Sequence, residues 1–177
     1  MKFPPVTFKD DQDFYNKLSD KYAVHDQGFF ILAPSGAGKT YFCNRQQSLE
    51  WIDGDELWET SGAHPNLAWW NGGEGTIHRV DQRSDVITME AKLQGFWIMG
   101  ASNFWLKPDA IVIPNWDKHT AYIKEREESH YDGGAKSDTL DQVQSHISFI
   151  KKWHTDHGVP LFESIEHATS ALVSSIE

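Results

Sequence analysis

The chain is poor in cysteine, in arginine and in long apolar runs. Its 177 residues include a single cysteine, Cys43, which cannot form an internal disulfide and gives no reason to expect an oxidising compartment. No apolar run reaches the roughly 18 residues that a membrane span requires. The N-terminus passes straight into prolines and acids instead of an apolar signal core. These absences predict a soluble, cytoplasmic protein with no membrane partner.

Positive charge is also scarce. Sixteen Lys and Arg against 26 Asp and Glu give a formal net charge of −10, which disfavours an extended nucleic acid as partner. Hydrophobic residues make up 39% of the chain, enough to fill the core of one domain over residues 1–177. No pattern specifies an oligomeric state.

Short apolar runs alternate with segments of helical periodicity. Because parallel strands need crossover connections, this alternation predicts an α/β fold with a parallel sheet covered on both faces. One helix is expected to start at Ser84, a good N-cap, and to stop at Gly95, with Val86, Met89 and Leu93 on its apolar face. A later helix is expected to end at Gly158, and Ser164 is expected to cap the last helix. The predicted strands cover residues 28–33, 49–52, 96–99, 110–113 and 159–162.

Three segments stand apart from this alternation. Residues 1–27 predict an accessory helix, and residues of about 54–83 predict an irregular, acceptor-binding insertion whose glycine-rich part is a loop. Within it, Trp69 and Trp70 could stack on a planar acceptor or simply anchor the insertion in the core. Residues of about 130–136 predict a mobile loop, held by few apolar contacts.

The strongest motif follows the first predicted strand. Residues 33–40 read APSGAGKT and match the phosphate-loop pattern G-x-x-x-x-G-K-[ST] except at Ala33. Glycine lets backbone N–H groups turn towards a polyphosphate, the lysine reaches the outer phosphates, and the threonine can bind Mg²⁺. An ordinary glycine turn before a helix is the alternative. The motif predicts ATP and Mg²⁺ as cofactors, bound by Ser35, Gly36, Ala37, Gly38, Lys39 and Thr40.

This loop, the order of the elements and the chain's ending resemble the small P-loop kinases, which include nucleoside monophosphate, gluconate, shikimate and adenylylsulfate kinases. The resemblance covers about residues 28–177. Residues 52–55, IDGD, are similar to the acidic motif after the family's second strand, and residues 159–168 to its closing strand and helix. The resemblance implies a three-layer P-loop NTPase fold whose five-stranded parallel sheet has the order 2-3-1-4-5, with helices on both faces.

Two aspartates are the candidate carboxylates. Asp53 and Asp55 follow a predicted strand, and one of them could hold Mg²⁺ or accept a proton from an acceptor hydroxyl. Residues 102–103 and 114–115, at the ends of two other strands, contain no acid, which strengthens this interpretation. The alternative is an acidic turn that caps the next helix.

Three of the four arginines are candidate phosphate clamps, because a guanidinium contacts phosphate oxygens in a bidentate manner. Arg126 precedes the 130–136 segment and resembles the family's lid arginine, although a surface ion pair is an alternative. Arg79 and Arg83 occupy the region where the family binds the acceptor's phosphate, or are simply solvated. Arg45 is expected to be structural.

The resemblance implies an ATP- and Mg²⁺-dependent phosphotransferase that moves the γ-phosphoryl group to a small acceptor. Lys39 and the loop amides would hold the phosphates, and Arg126 would offset charge in the transition state. A nucleoside monophosphate is the leading acceptor. A kinase for a hydroxyl group, on a sugar acid or a nucleic-acid 5′ end, is one alternative, and a nucleotide-binding module without turnover within an assembly is another.

Overall fold

A computed structural model describes residues 12–65, 68–131 and 133–177. Its strands are β1 (Phe29–Leu32), β2 (Trp51–Asp53), β3 (Trp97–Gly100), β4 (Ala110–Val112) and β5 (Leu161–Phe162). Its helices are α1 (Gln12–Lys21), α2 (Lys39–Arg45), α3 (Gly54–Thr60), α4 (Glu74–Leu93), α5 (Trp116–Glu128), α6 (Leu140–His157) and α7 (Ile165–Ser174). Two single 3₁₀ turns cover Trp69–Asn71 and Ser137–Thr139.

The strands form one parallel sheet in the order β2-β3-β1-β4-β5 with helices around it. The predicted α/β class and strand order are therefore confirmed. By its contacts the chain divides into two compact units, one from Met1–Phe30 and Gln46–Leu106 and the other from Ile31–Arg45 and Lys107–Glu177. We call them unit 1 and unit 2.

Unit 1 contains the paired strands β2 and β3, with Ile52 opposite Ile98. Both side chains are fully buried, as expected for strands of a parallel sheet. Helix α1 buries Phe14 and Leu18, because residues four apart share one helix face. A helix is therefore present in the segment where one was predicted, its accessory role stays a prediction, and residues 1–11 lie outside the described ranges.

Helix α4 corrects two predictions. It starts at Glu74, ten residues before Ser84, so that Gly75 of the supposed loop lies in its first turn. Ser84 is fully buried and its hydroxyl donates to the carbonyl oxygen of Val80, 3.0 Å away. A serine satisfied in this way continues a helix instead of capping it. The predicted apolar face was wrong as well, because Leu93 is 74% exposed.

Unit 2 contains β4 and β5, paired through Ile111 and Leu161, and the helices α2, α5, α6 and α7. Ile123, Ala135, Val143 and Ile147 form a buried cluster with Ile113, Trp116 and Leu140 packed against it. Two predicted helix boundaries are confirmed, the end of α6 at Gly158 and the start of α7 at Ser164. Gly158 has φ 67° after α6, and the Ser164 hydroxyl accepts from the His167 amide ahead of α7. Within the described ranges, no helix is long and apolar enough to cross a membrane.

Candidate functional site

The 33–40 loop of unit 2 connects β1 to α2 and turns at two glycines. Gly36 has φ 82° and Gly38 has φ 97°, a backbone region that side chains with a Cβ rarely adopt. A Cβ on Gly36 would also lie 2.6 Å from Cγ1 of Ile123, whereas one on Gly38 would meet nothing within 4 Å. Gly36 is therefore required by both conformation and space, and Gly38 by conformation alone.

Ala33 occupies the first position of the motif without strain. Among the described residues only His130 is a non-glycine residue with positive φ, so the backbone at Ala33 has an ordinary conformation. Its side chain is fully buried. A methyl group is therefore tolerated at this position, where the pattern specifies glycine.

Lys39 is held inside the loop. Only 8% of the residue is exposed, and its Nζ donates to the carbonyl oxygens of Ala33 at 3.0 Å and Pro34 at 2.7 Å. Thr40, which follows it, is exposed. The loop thus surrounds an ammonium group with its own backbone carbonyl oxygens.

Ser35 joins the loop to two other segments of unit 2. His119 of α5 donates from Nε2 to the Ser35 carbonyl oxygen at 2.8 Å. The Ser35 hydroxyl oxygen accepts from the Ala135 amide at 2.9 Å and from Nη2 of Arg126 at 3.4 Å. Arg126 Nη2 also donates to the Ala135 carbonyl oxygen at 2.9 Å. The structure therefore places Arg126, the predicted lid arginine, against the third residue of the 33–40 loop.

His119 is a site residue that the sequence interpretation missed. A carbonyl oxygen only accepts, so the Nε2 that contacts Ser35 carries the hydrogen. Burial lowers the pKa of His119, the bond to Ser35 opposes this, and the charges of Lys39 and Arg126 lower the pKa further, which favours the neutral ring. Its Nδ1 is buried without a hydrogen-bond partner among the described residues. The spacing of His119, Ile123 and Arg126 on one face of α5 was the available signal.

The predicted mobile loop is partly anchored. Ala135 is 7% exposed and belongs to the buried cluster of unit 2, so the expectation of few apolar contacts was wrong at this residue. Gly134 has φ 74°, and a Cβ there would lie 2.5 Å from the Ser35 hydroxyl oxygen. Asp132, which the predicted loop includes, lies outside the described residues. Closure of residues 130–136 over a nucleotide stays a prediction.

In unit 1, Asp53 and Asp55 follow β2 as predicted. The Asp53 carboxylate accepts from the Asp55 amide at 3.1 Å and is the N-cap of α3. Asp55 is exposed. Helix capping, the alternative interpretation, therefore holds for Asp53, and a role for either aspartate in binding metal or acceptor stays a prediction.

The two arginines predicted to bind the acceptor differ in their surroundings. Arg83 donates from Nη2 to the Gly62 carbonyl oxygen at 2.7 Å and from Nε to that of Ala63 at 3.2 Å. Burial lowers its pKa, and the charge of Arg79 adds to the effect. Arg79 itself is exposed on α4. At least two guanidinium donors of Arg83 thus stabilise the turn at residues 62–63.

Unit 1 also contains two carboxylates that the sequence interpretation missed. Ser102, after β3, donates to Oδ1 of Asp81. Oδ2 of Asp85 accepts from three successive backbone amides, those of Phe104, Trp105 and Leu106, at 2.8, 2.6 and 3.2 Å. Burial raises the pKa of each carboxyl group to about 6. With the helix start predicted at Ser84, Asp81 fell outside the helix and the spacing was not recognised.

The predicted tryptophan pair is divided between two roles. Trp69 lies edge-on to His64, with ring centroids 4.9 Å apart, whereas Trp70 is 57% exposed. His64 also stacks on Trp58 at 4.9 Å. Trp69 therefore anchors its segment, which is one of the two predicted roles, and Trp70 is the tryptophan of this pair that is largely exposed.

The residues predicted for Mg²⁺ suit that ion in their chemistry. No group of three or more His, Cys, Asp or Glu side chains in the described part of the chain could hold a metal. Mg²⁺ in nucleotide sites usually keeps several waters and binds phosphate oxygens together with only one or two side chains. An exposed hydroxyl such as that of Thr40 supplies the hard oxygen ligand that this arrangement uses.

Neither a family model nor a curated protein matches the chain. The likeness to the small P-loop kinases therefore depends on the residues quoted above and on the strand order. The chemistry of the site has to be argued from its geometry.

Proposed function

We propose that the protein is an ATP- and Mg²⁺-dependent phosphotransferase with the three-layer P-loop NTPase fold, acting on a small acceptor. The observation that carries the proposal is the 33–40 loop, where the backbone turns at two left-handed glycines and the buried Lys39 ammonium donates to the carbonyl oxygens of Ala33 and Pro34. A loop of this kind binds polyphosphates through backbone N–H groups and a lysine. Arg126 at the same loop adds a second cation.

In the proposed reaction the Lys39 ammonium leaves the two carbonyl oxygens of the loop and binds the β- and γ-phosphate oxygens of ATP. Arg126 leaves the Ser35 hydroxyl and contacts the transferring phosphoryl group, on which negative charge is redistributed as transfer proceeds. Thr40 would hold Mg²⁺, which would supply positive charge against the phosphates. Neutral His119 fixes the carbonyl of Ser35 and so supports the loop without adding charge.

The acceptor is proposed to use residues of unit 1. A nucleoside monophosphate remains the leading candidate and would use Arg79, with Asp53 or Asp55 as the predicted carboxylates. A hydroxyl acceptor is the second candidate. The surroundings of Arg83 favour a hydroxyl acceptor, because the guanidinium donors that already bond Gly62 and Ala63 are not available for an acceptor phosphate.

The test measures ATP binding by calorimetry and Mg²⁺-dependent ADP formation with each of several acceptors: nucleoside monophosphates, nucleosides, gluconate and a 5′-hydroxyl oligonucleotide. We expect ADP to form faster with one acceptor class than without acceptor, and not to form when EDTA is added. Binding of ATP with no turnover for any acceptor would favour the nucleotide-binding module. Absence of ATP binding would refute the proposal.

A further inference from the structure

One face of α4 in unit 1 gathers groups that the proposed phosphate chemistry does not use. His78, Asp81 and Asp85 follow each other at three- and four-residue spacing, which places them on the same side of a helix. The segment after β3 packs on this face, because Ser102 bonds Asp81 and the amides of residues 104–106 bond Asp85. The ring of Phe104 lies 4.9 Å from that of His78.

A chain of hydrogen bonds reaches Asp81 from the interior. His64 Nε2 lies 2.8 Å from the Ser84 hydroxyl oxygen, which lies 3.2 Å from the Ser102 hydroxyl oxygen. Each hydroxyl has one hydrogen, and that of Ser102 goes to the carboxylate of Asp81.

The direction of donation along these bonds follows from the two hydroxyl groups. The single hydrogen of Ser102 goes to Asp81, and the Ser84 hydroxyl donates to the Val80 carbonyl oxygen. The pKa of His64 is lowered to about 4 by burial, with a contribution from Arg83, so the ring is neutral and can donate from Nε2 to Ser84. Asp81 is therefore the terminal acceptor, and its Oδ1 is fixed in place.

Two buried oxygen atoms at this place accept no hydrogen bond from the described residues, and a third can accept from a ligand. The third is Oδ2 of the half-buried Asp81, because the bond from Ser102 goes to Oδ1. Oδ1 of Asp85 is buried without a partner among the described residues. Oδ1 of Asn103 is buried and also has no partner in the described ranges, although the residue is only 2% exposed. A buried acceptor without a donor is costly. Both observations point to a ligand that brings hydrogen-bond donors.

The neighbouring rings indicate what such a ligand presents. Phe104 is 37% and Trp105 45% exposed, and exposed aromatic rings stack on planar or ring-shaped ligands. The carboxylates of Asp81 and Asp85 repel a phosphate group at this place. A ring that carries hydroxyl groups satisfies both conditions.

We propose that Asp81 accepts a hydrogen bond from a sugar hydroxyl of a nucleoside-type ligand whose ring packs on Phe104. The site rests on the proposed function only in that the ligand would be the acceptor. A nucleoside monophosphate and a free nucleoside share this sugar, and the experiment distinguishes them.

The proposed bond requires the ionised carboxylate. Burial and the charge of Asp85 raise the pKa of Asp81, while Ser102 and His78 lower it, with a result of about 6. At pH 8 Asp81 accepts, and below pH 6 it is protonated. Binding should therefore weaken on acidification, and loss of the Ser102 hydroxyl should move that transition to higher pH because the charged form loses a donor.

The experiment titrates the full-length protein calorimetrically with adenosine, guanosine, cytidine and thymidine, then with their monophosphates. For the best nucleoside, dideoxy and 5′-deoxy analogues remove the hydroxyl groups in turn. We expect one analogue to bind about tenfold more weakly. Asp81→Asn should weaken the parent nucleoside to the same extent without affecting that analogue. Asp20→Asn, on the exposed side of α1, is the matched control.

Ser102→Ala supplies a second test. It should bind the parent nucleoside normally at pH 8.5 and lose binding at higher pH than the wild type. Equal affinity of wild type and a folded Asp81→Asn variant, or no binding of any nucleoside or monophosphate at millimolar concentration, would overturn the inference. Asp81-dependent binding without ATP turnover would retain the hydroxyl site and refute the phosphotransferase.

Discussion

The two units collect charges of opposite sign by different means. In unit 2, the 33–40 loop holds Lys39 and contacts Arg126, and its bonds run mostly through backbone atoms. In unit 1, α4 buries two carboxylates that are stabilised by side chains and amides of the segment after β3. The 33–40 loop is built from consecutive residues, with Arg126 added from α5, whereas the acidic site joins residues about 20 positions apart. A short motif can therefore report the first and not the second.

The strongest test of this contrast is Lys39→Ala in unit 2. We expect phosphoryl transfer to fall about a thousandfold or more, because the ammonium is proposed to hold the transferring phosphates. The fold should stay intact because the loop glycines and the Ser35 contacts remain, while thermal unfolding measures the cost of losing the two bonds that Lys39 donates. Turnover is measured beside Lys118→Ala, an exposed lysine of the same unit. Near-normal turnover would contradict the assignment of the loop.

The corresponding change in unit 1 is Asp85→Ala, which acts on stability. Three backbone amides lose their acceptor, and we expect the free energy of unfolding to fall by about 3 kcal/mol. Asp85→Asn keeps an oxygen acceptor and removes a buried charge, so it should cost less than about 1 kcal/mol. Urea denaturation compares the two variants. If both variants lost the same free energy of unfolding, the charge of Asp85, and not the hydrogen bonds from the three amides, would account for its contribution to stability.

Arg126→Ala tests whether unit 2 acts on the transition state. We expect kcat to fall about a hundredfold and ATP affinity to change less than about threefold, because the contact is proposed to strengthen as charge shifts. Arg45→Ala is the control, since Arg45 is exposed and lies over the Tyr41 ring in the same unit. A loss of affinity equal to the loss of kcat would make Arg126 a binding residue only.

The smallest expected effect concerns His64. Its folded pKa of about 4 lies below the unfolded value, so the unfolded chain binds the additional proton and stability falls as pH drops from about 6.5 to 4. In His64→Gln the free energy of unfolding should therefore fall by about 1 to 2 kcal/mol less between pH 7 and pH 4 than it does in the wild type. Asp81 and Asp85 act in the opposite sense, since their raised pKa values favour the folded state on acidification. Unfolding at pH 4 and 7 for both proteins measures the difference.

These contrasts explain how far the sequence could be interpreted. The 33–40 loop was recognisable because Gly36, Gly38 and Lys39, which share one proposed function, lie within four positions of each other. The strand order followed from the resemblance, and the strands from apolar runs that are buried on both faces. Gly158 and Ser164 marked helix ends through local backbone chemistry alone.

The missed features depend on tertiary contacts. Ser84 has the composition of an N-cap, yet its hydroxyl bonds Val80 inside α4 and contacts His64. Asp81 matters only because Ser102 is brought beside it. His119 was one of nine histidines, and nothing local distinguishes the one whose Nε2 meets Ser35. Such pairings become visible only when distant segments are placed together.

Ala33 has a consequence for finding proteins of this kind by pattern. Its backbone conformation makes no demand for glycine, and its fully buried side chain limits that position by volume alone. Alanine therefore satisfies the geometry, and a larger branched residue would not. A search that insists on glycine at the first position would overlook chains like this one. A search that admits small residues there, while keeping both inner glycines and the lysine, would recover them.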